Sequence, residues 1–228
     1  MIVMKFGGTS VGDRNRVDHV AQLINRESEP LVVVVSAMGK TTDRLFEAAN
    51  LAELGMWSEC EEIVSNLEQF HLEATDEHEA QATVRRLLSE LTSILQGIYL
   101  LREQTERSRA LVASFGERMS VQILASHLRQ LGRSAVAIDA REFVVTNDDY
   151  GDAKVLLDET FNKTLEHLNP LIERGFTLVV TGFIGSSTQG ITTTLGRGGS
   201  DYSASLLGSL LSADEVWIWT DVDGILTA

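Results

Sequence analysis

Two short apolar runs open the chain. Residues 2–6 are apolar apart from Lys5 and end at Gly7-Gly8, while residues 31–35 form the unbroken block Leu-Val-Val-Val-Val directly after Pro30. A β-branched run without polar alternation suits a strand covered on both faces, as in a parallel sheet. Between the runs, Asp13 precedes Val17, Val20, Ala21 and Ile24, which share one helical face. The opening therefore reads as strand, glycine turn, helix, strand.

From 43 to 130 the apolar positions recur at three and four residues, for example at Leu87, Leu88, Leu91, Ile94 and Leu95 and again at Val121, Leu124, Ala125 and Leu128. That spacing predicts several consecutive helices. Residues 135–138 read as a strand, the stretch through Asn147-Asp148-Asp149 as irregular, 158–174 as a helix stopped by Gly175, and 176–180 as another strand. A hairpin around 186–190 leads into the β-branched run 191–194, a helix is predicted over 201–211, and 216–219 alternates toward Thr220 as a last strand. Strands alternating with helices predict an α/β fold, a three-layer sandwich around a mainly parallel sheet.

Composition narrows the function classes. With 228 residues, 43% of them hydrophobic, the chain can bury a substantial core as one domain or two closely joined lobes. A formal net charge of −14 argues against nucleic-acid or anionic-membrane partners, so any phosphate site must be a local device. No apolar run approaches the roughly 20 residues that span a bilayer. Cys60 is the single cysteine, and no charged-then-apolar leader opens the chain, which points to the cytoplasm. The five histidines show no zinc-ligand spacing, and no metal ligands are expected among the side chains.

In open parallel sheets, ligands gather at the carboxyl ends of strands. Four segments qualify: 7–12, 36–42, 181–185 together with 195–201, and 220–224. Lys5 before Gly7-Gly8 can form a phosphate cradle, although alone the pair reads more simply as an ordinary strand-to-helix turn. Gly39-Lys40-Thr41 resembles the end of a Walker A loop, but Val34 stands where that loop needs glycine. Residues 192–204, with Gly196, Arg197, Gly198, Gly199 and Asp201 just before a helix, combine unusual backbone with fixed charge. Arg197 suits a small carboxylate, or it pairs with Asp201 across a helix cap. Glu117 follows Gly116 inside a helical pattern, where glycine costs about 1 kcal/mol and suggests a close approach. Glu117 either meets a ligand ammonium group or is a solvated helix-face residue. Trp217 and Trp219 share one side of a strand and read as packing residues.

Taken together, Lys-Phe-Gly-Gly-Thr-Ser at 5–10, Ser36-Ala37-Met38, Gly116-Glu117-Arg118-Met119-Ser120, Gly182-Phe183-Ile184-Gly185, the 195–202 segment and Thr220-Asp221-Val222-Asp223-Gly224 resemble, in this order, the aspartokinases. The resemblance implies an amino-acid-kinase-like αβα sandwich and transfer of phosphate from ATP to the side chain of L-aspartate, the entry to lysine, threonine and methionine synthesis. It implies Lys5 and Asp201 as catalytic residues, and Lys5, Gly7, Gly8, Thr9, Thr220 and Asp221 on the ATP side. Ser36, Thr42, Glu117, Arg197 and Asp201 would surround aspartate, with Mg²⁺ held mainly by the phosphates. It further implies an amino-acid-binding lobe over 1–180 with a helical middle, the start of a nucleotide lobe over 181–228, and a homodimeric parent. A carboxylate nucleophile is already ionised at neutral pH, so this chemistry needs positioning and charge neutralisation and no general base.

The departures matter too. Leu226 stands where many members have a tyrosine, and the family continues beyond the position of Ala228 with an Asp-Pro-Arg segment, further cationic ATP contacts and ACT domains. The expectation from the sequence is therefore a truncated nucleotide lobe with little or no activity. The alternatives are another enzyme of the same fold, of the glutamate or acetylglutamate kinase type, and a non-catalytic ligand-binding module.

Overall fold

A computed structural model describes residues 1–28 and 30–219. The predicted opening unit forms as β1 (Ile2–Phe6), α1 (Arg14–Asn25) and β2 (Leu31–Val35). Asp13 caps α1 by accepting a hydrogen bond from the Arg16 amide. The long periodic stretch becomes four helices, α2 (Thr41–Leu54), α3 (Trp57–Glu73), α4 (His78–Leu101) and α5 (Glu106–Gln130). The next elements are β3 (Ala135–Ile138), β4 (Val145–Thr146), α6 (Leu157–Glu173), β5 (Thr177–Thr181), β6 (Ile184–Ser187), β7 (Thr192–Thr194), α7 (Gly199–Leu210) and β8 (Glu215–Trp219).

Among the described residues, five strands make the central sheet in the order β3-β5-β2-β1-β8, and every neighbouring pair is parallel. Because side chains alternate across a strand, the sheet feeds two cores. Met4, Phe6, Val33 and Val35 pack with α1 and the α2–α5 layer, while Val3, Val32, Val34, Leu178 and Val180 pack with α6 and α7. Layers on both faces explain why residues 31–35 are apolar throughout: all five are buried. Trp217 packs against the first core and Trp219 stacks on Phe6 with ring centroids 5.7 Å apart, so the two tryptophans are packing residues on one side, as expected.

One feature departs from the sequence expectation. β4, β6 and β7 form a separate three-stranded sheet, β4 parallel to β6 and β6 antiparallel to β7. The expected hairpin joins β6 to β7, with Gly190 at φ +76°. β4 lies in the stretch read as irregular, because a strand of two residues carries no period to detect. Among the described residues no helix is long and apolar enough to cross a membrane.

Candidate active site

The alternation in β1 decides where Lys5 goes. It lies on the same side as Val3, toward α7, and its ammonium stands 2.6 Å from the Asp201 carboxylate in the first turn of that helix. The contact is an ion pair without the alignment of a hydrogen bond, since Asp201 Oδ1 has no hydrogen-bond partner. An acid at this position also meets the positive end of the helix. The reading of Asp201 as a cap partner for Arg197 is thereby replaced: its cation is Lys5. Gly198, in the left-handed region at φ +74°, ends the preceding loop and starts α7.

Opposite Lys5, the turn after β2 meets α5. Nearly all of α5 between Ala110 and Leu128 is buried, Glu117 included. The solvated helix-face reading of Glu117 fails because the helix has no solvent face there. Glu117 Oε1 accepts a hydrogen bond from the Ala37 amide at 3.1 Å, whereas Oε2 has no partner among the described residues. Burial pushes this carboxyl up to about 8, against the smaller opposing effect of the Ala37 amide. Its neighbour Arg118 turns away, pairing with Glu90 at 3.0 Å and approaching Asp139.

The third wall comes from the loop after β7. Gly196 has φ +71°, a backbone that L side chains rarely adopt, and the place a Cβ would occupy there is taken by the Asp152 carboxylate, so glycine is favoured here. The loop leaves Arg197 exposed, with no hydrogen-bond or ion-pair partner among the described residues. Beside it Phe183 holds φ +67°, an uncommon conformation for a bulky side chain and a local store of strain.

These walls line one open cavity of about 370 Å³. Lys5, Gly8 and Asp201 line one side, Ser36, Thr42 and Glu117 another, and Arg197 the third. Lys5 and Arg197 therefore open onto shared space, as the expected chemistry requires. Gly7 borders the site, the position of its missing Cβ lying 3.4 Å from Lys5 Nζ. Thr9 does not join them: it is exposed and lines a neighbouring groove with Phe6 and Trp219. Thr220 and Asp221 lie outside the described residues. Ala37, Phe183 and Ser200 also line the cavity. All three lie within motif segments of the sequence, and a Cβ on Gly182 would meet Ser200 Oγ at 2.7 Å, so glycine permits the strand end to touch α7. Among the described residues no three His, Cys, Asp or Glu side chains gather as a metal site.

The sequence profile of the family described as "Amino acid kinase family" matches residues 1–228. Aspartokinase 2, chloroplastic, of Arabidopsis thaliana is 38% identical over 99% of this chain and 42% of its own length. Among solved structures, E. coli aspartokinase III in complex with aspartate and ADP superposes with a TM-score of 0.90 at 34% identity, covering 99% of this chain and 50% of that one. Clostridium acetobutylicum aspartate kinase gives 0.79 at 26%, over 99% of this chain and 48% of that one. The chain thus spans about half the length of these relatives or less.

Proposed function

The chain belongs to the amino acid kinase family, and from that premise we propose that it is the catalytic portion of an aspartokinase, transferring the γ-phosphoryl group of ATP to the β-carboxylate of L-aspartate. The observation that carries this reading is the single cavity onto which Lys5, Glu117 and Arg197 all open. A small zwitterion needs a cation and an anion set apart, and Arg197 and, once ionised by the arriving ammonium group, Glu117 supply them. Held by those two groups, aspartate would present its β-carboxylate toward Lys5. The similarity to an enzyme solved with aspartate and ADP supports the same assignment.

In this reading the nucleophile is ionised before it binds, and the barrier is lowered by orientation and by charge placed against the equatorial oxygens of a loose transition state. Lys5 provides that charge, and Asp201 holds the ammonium in the cavity. Gly7 and Gly8 leave backbone room for phosphate oxygens, and Ser36 and Thr42 offer hydroxyls to the acceptor. Thr220 and Asp221, with Thr9 in the adjoining groove, complete the proposed nucleotide side. Mg²⁺, carried by the phosphates, would supply further charge neutralisation. We propose 1–180 as the acceptor side and 181 onward as the beginning of the nucleotide side, with the parent a homodimer in a reducing compartment such as the cytoplasm.

The test is calorimetric titration of the chain with L-aspartate and with Mg-ATP, followed by trapping of the acyl phosphate with hydroxylamine. Binding of aspartate in preference to glutamate and N-acetylglutamate is expected, and a chain that binds neither aspartate nor ATP is not a kinase. Arg197→Ala should weaken aspartate binding by about tenfold or more, the scale of a charge-assisted pair. Lys5→Ala should mainly lower turnover; equal effects on affinity alone would refute this division of labour.

A further inference from the structure

The two sides of the cavity are joined by a three-layer contact centred on Ala37. A Cβ on Gly8 would lie 2.7 Å from the Ala37 carbonyl oxygen, and a Cβ on Gly116 would lie 2.7 Å from the Ala37 Cβ. Real atoms do not approach so closely, so glycine is required on both sides of this one residue. Gly116 is not there for its backbone freedom: it sits inside α5 and is not among the glycines with positive φ. It is there for space. Polar contacts tie the same layers together, Gly39 N–H donating to Gly8 O at 3.0 Å and Ala37 N–H to Glu117 Oε1 at 3.1 Å.

We propose that Gly116 and Ala37 are positioning residues whose contact sets how far Glu117 reaches into the cavity, and hence how well the site recognises a ligand's ammonium group. This rests on the reading of the acceptor as an aspartate-like zwitterion. Any side chain at 116 drives α5 and the 36–38 turn apart. The Ala37 amide then leaves Glu117 Oε1, and Oε2, the oxygen without a partner among the described residues, recedes from the ligand. The remaining neighbours of a Cβ at 116 are Thr41 Cγ2 at 3.4 Å and Leu45 Cδ1 at 3.6 Å, both tolerable. Removing the Ala37 methyl therefore makes room for an alanine at 116.

The test titrates the chain with L-aspartate and with succinate, which carries the same two carboxylates and no ammonium group. The unaltered chain is expected to prefer aspartate. Gly116→Ala should lower aspartate affinity about tenfold or more and succinate affinity by much less, so that the preference for aspartate falls, as the loss of one charge-assisted contact predicts. Adding Ala37→Gly should restore the preference. If Gly116→Ala does not fold, the double variant decides the matter: folded and aspartate-selective supports the inference, folded and unselective overturns it. An undiminished preference in Gly116→Ala overturns the inference and leaves the proposed function standing. No aspartate binding by the unaltered chain removes both.

Discussion

At the residue scale, Glu117 shows how burial turns a carboxyl group into a proton store. Its folded value of about 8 lies above the usual 4.5, so between those values the folded chain keeps a proton that the unfolded chain releases. Stability from this group is complete below about pH 4.5 and declines as pH rises toward 8. Glu117→Gln should consequently gain stability relative to the unaltered chain on going from pH 5 to 8.5, by an amount on the order of a few kcal/mol, read from urea midpoints at each pH. The same substitution removes a proton exchange that we expect on binding. Near neutral pH, a docking ammonium group should drive Glu117 to ionise and release close to one proton. Calorimetry in two buffers of different ionisation enthalpy measures this, and a buffer-independent heat for the unaltered chain contradicts it. Neither property was legible from the residue's surroundings in sequence, since a glutamate between glycine and arginine looks solvated until the neighbours on all sides are known.

At the element scale, what could be read depended on whether an element has a face. Strands β2 and β5 were legible because both sides are buried: β2 is apolar without interruption, and β5 carries Leu178, Val179 and Val180 between two threonines. Helix α4 was legible because Leu87, Leu88, Leu91 and Leu95 form one buried stripe against an exposed one. Helix α5 shows no such division in its middle, being enclosed by the sheet and the other helices, so its polar residues could not be sorted from sequence into pointing in or out. Its start is well marked: Thr105 accepts from the Ser108 amide and Ser108 Oγ accepts from the Thr105 amide, a reciprocal cap. Thr105→Ala should cost about 1 kcal/mol, measured by chemical denaturation, with no change in ligand affinity. A loss of aspartate binding in that variant would mean that the helix end, some three turns before Glu117, sets the site as well.

At the scale of the whole molecule, one sheet divides two cores, and neighbouring residues in β2 belong to different ones: Val33 to the side of α1 and the α2–α5 layer, Val34 to the side of α6 and α7. Each is fully buried. Replacing either by alanine should cost about 2 kcal/mol and lower the melting temperature by roughly 4–8 °C. Because the strand is shared, both variants should shift one calorimetric transition; two resolved transitions would show that the cores melt independently. The electrostatics of the molecule also bear on its ion pair at the cavity. With a net charge of −14 and its buried lysine already answered by Asp201 at 2.6 Å, the protein holds out no bare positive charge on that wall to passing inorganic anions. Stray phosphate must displace a carboxylate before it can lodge beside Lys5, whereas a nucleotide brings other contacts with which to do so. Asp201→Asn should accordingly raise the affinity for inorganic phosphate several-fold, as calorimetry can show, and an unchanged affinity would deny the carboxylate this gatekeeping part.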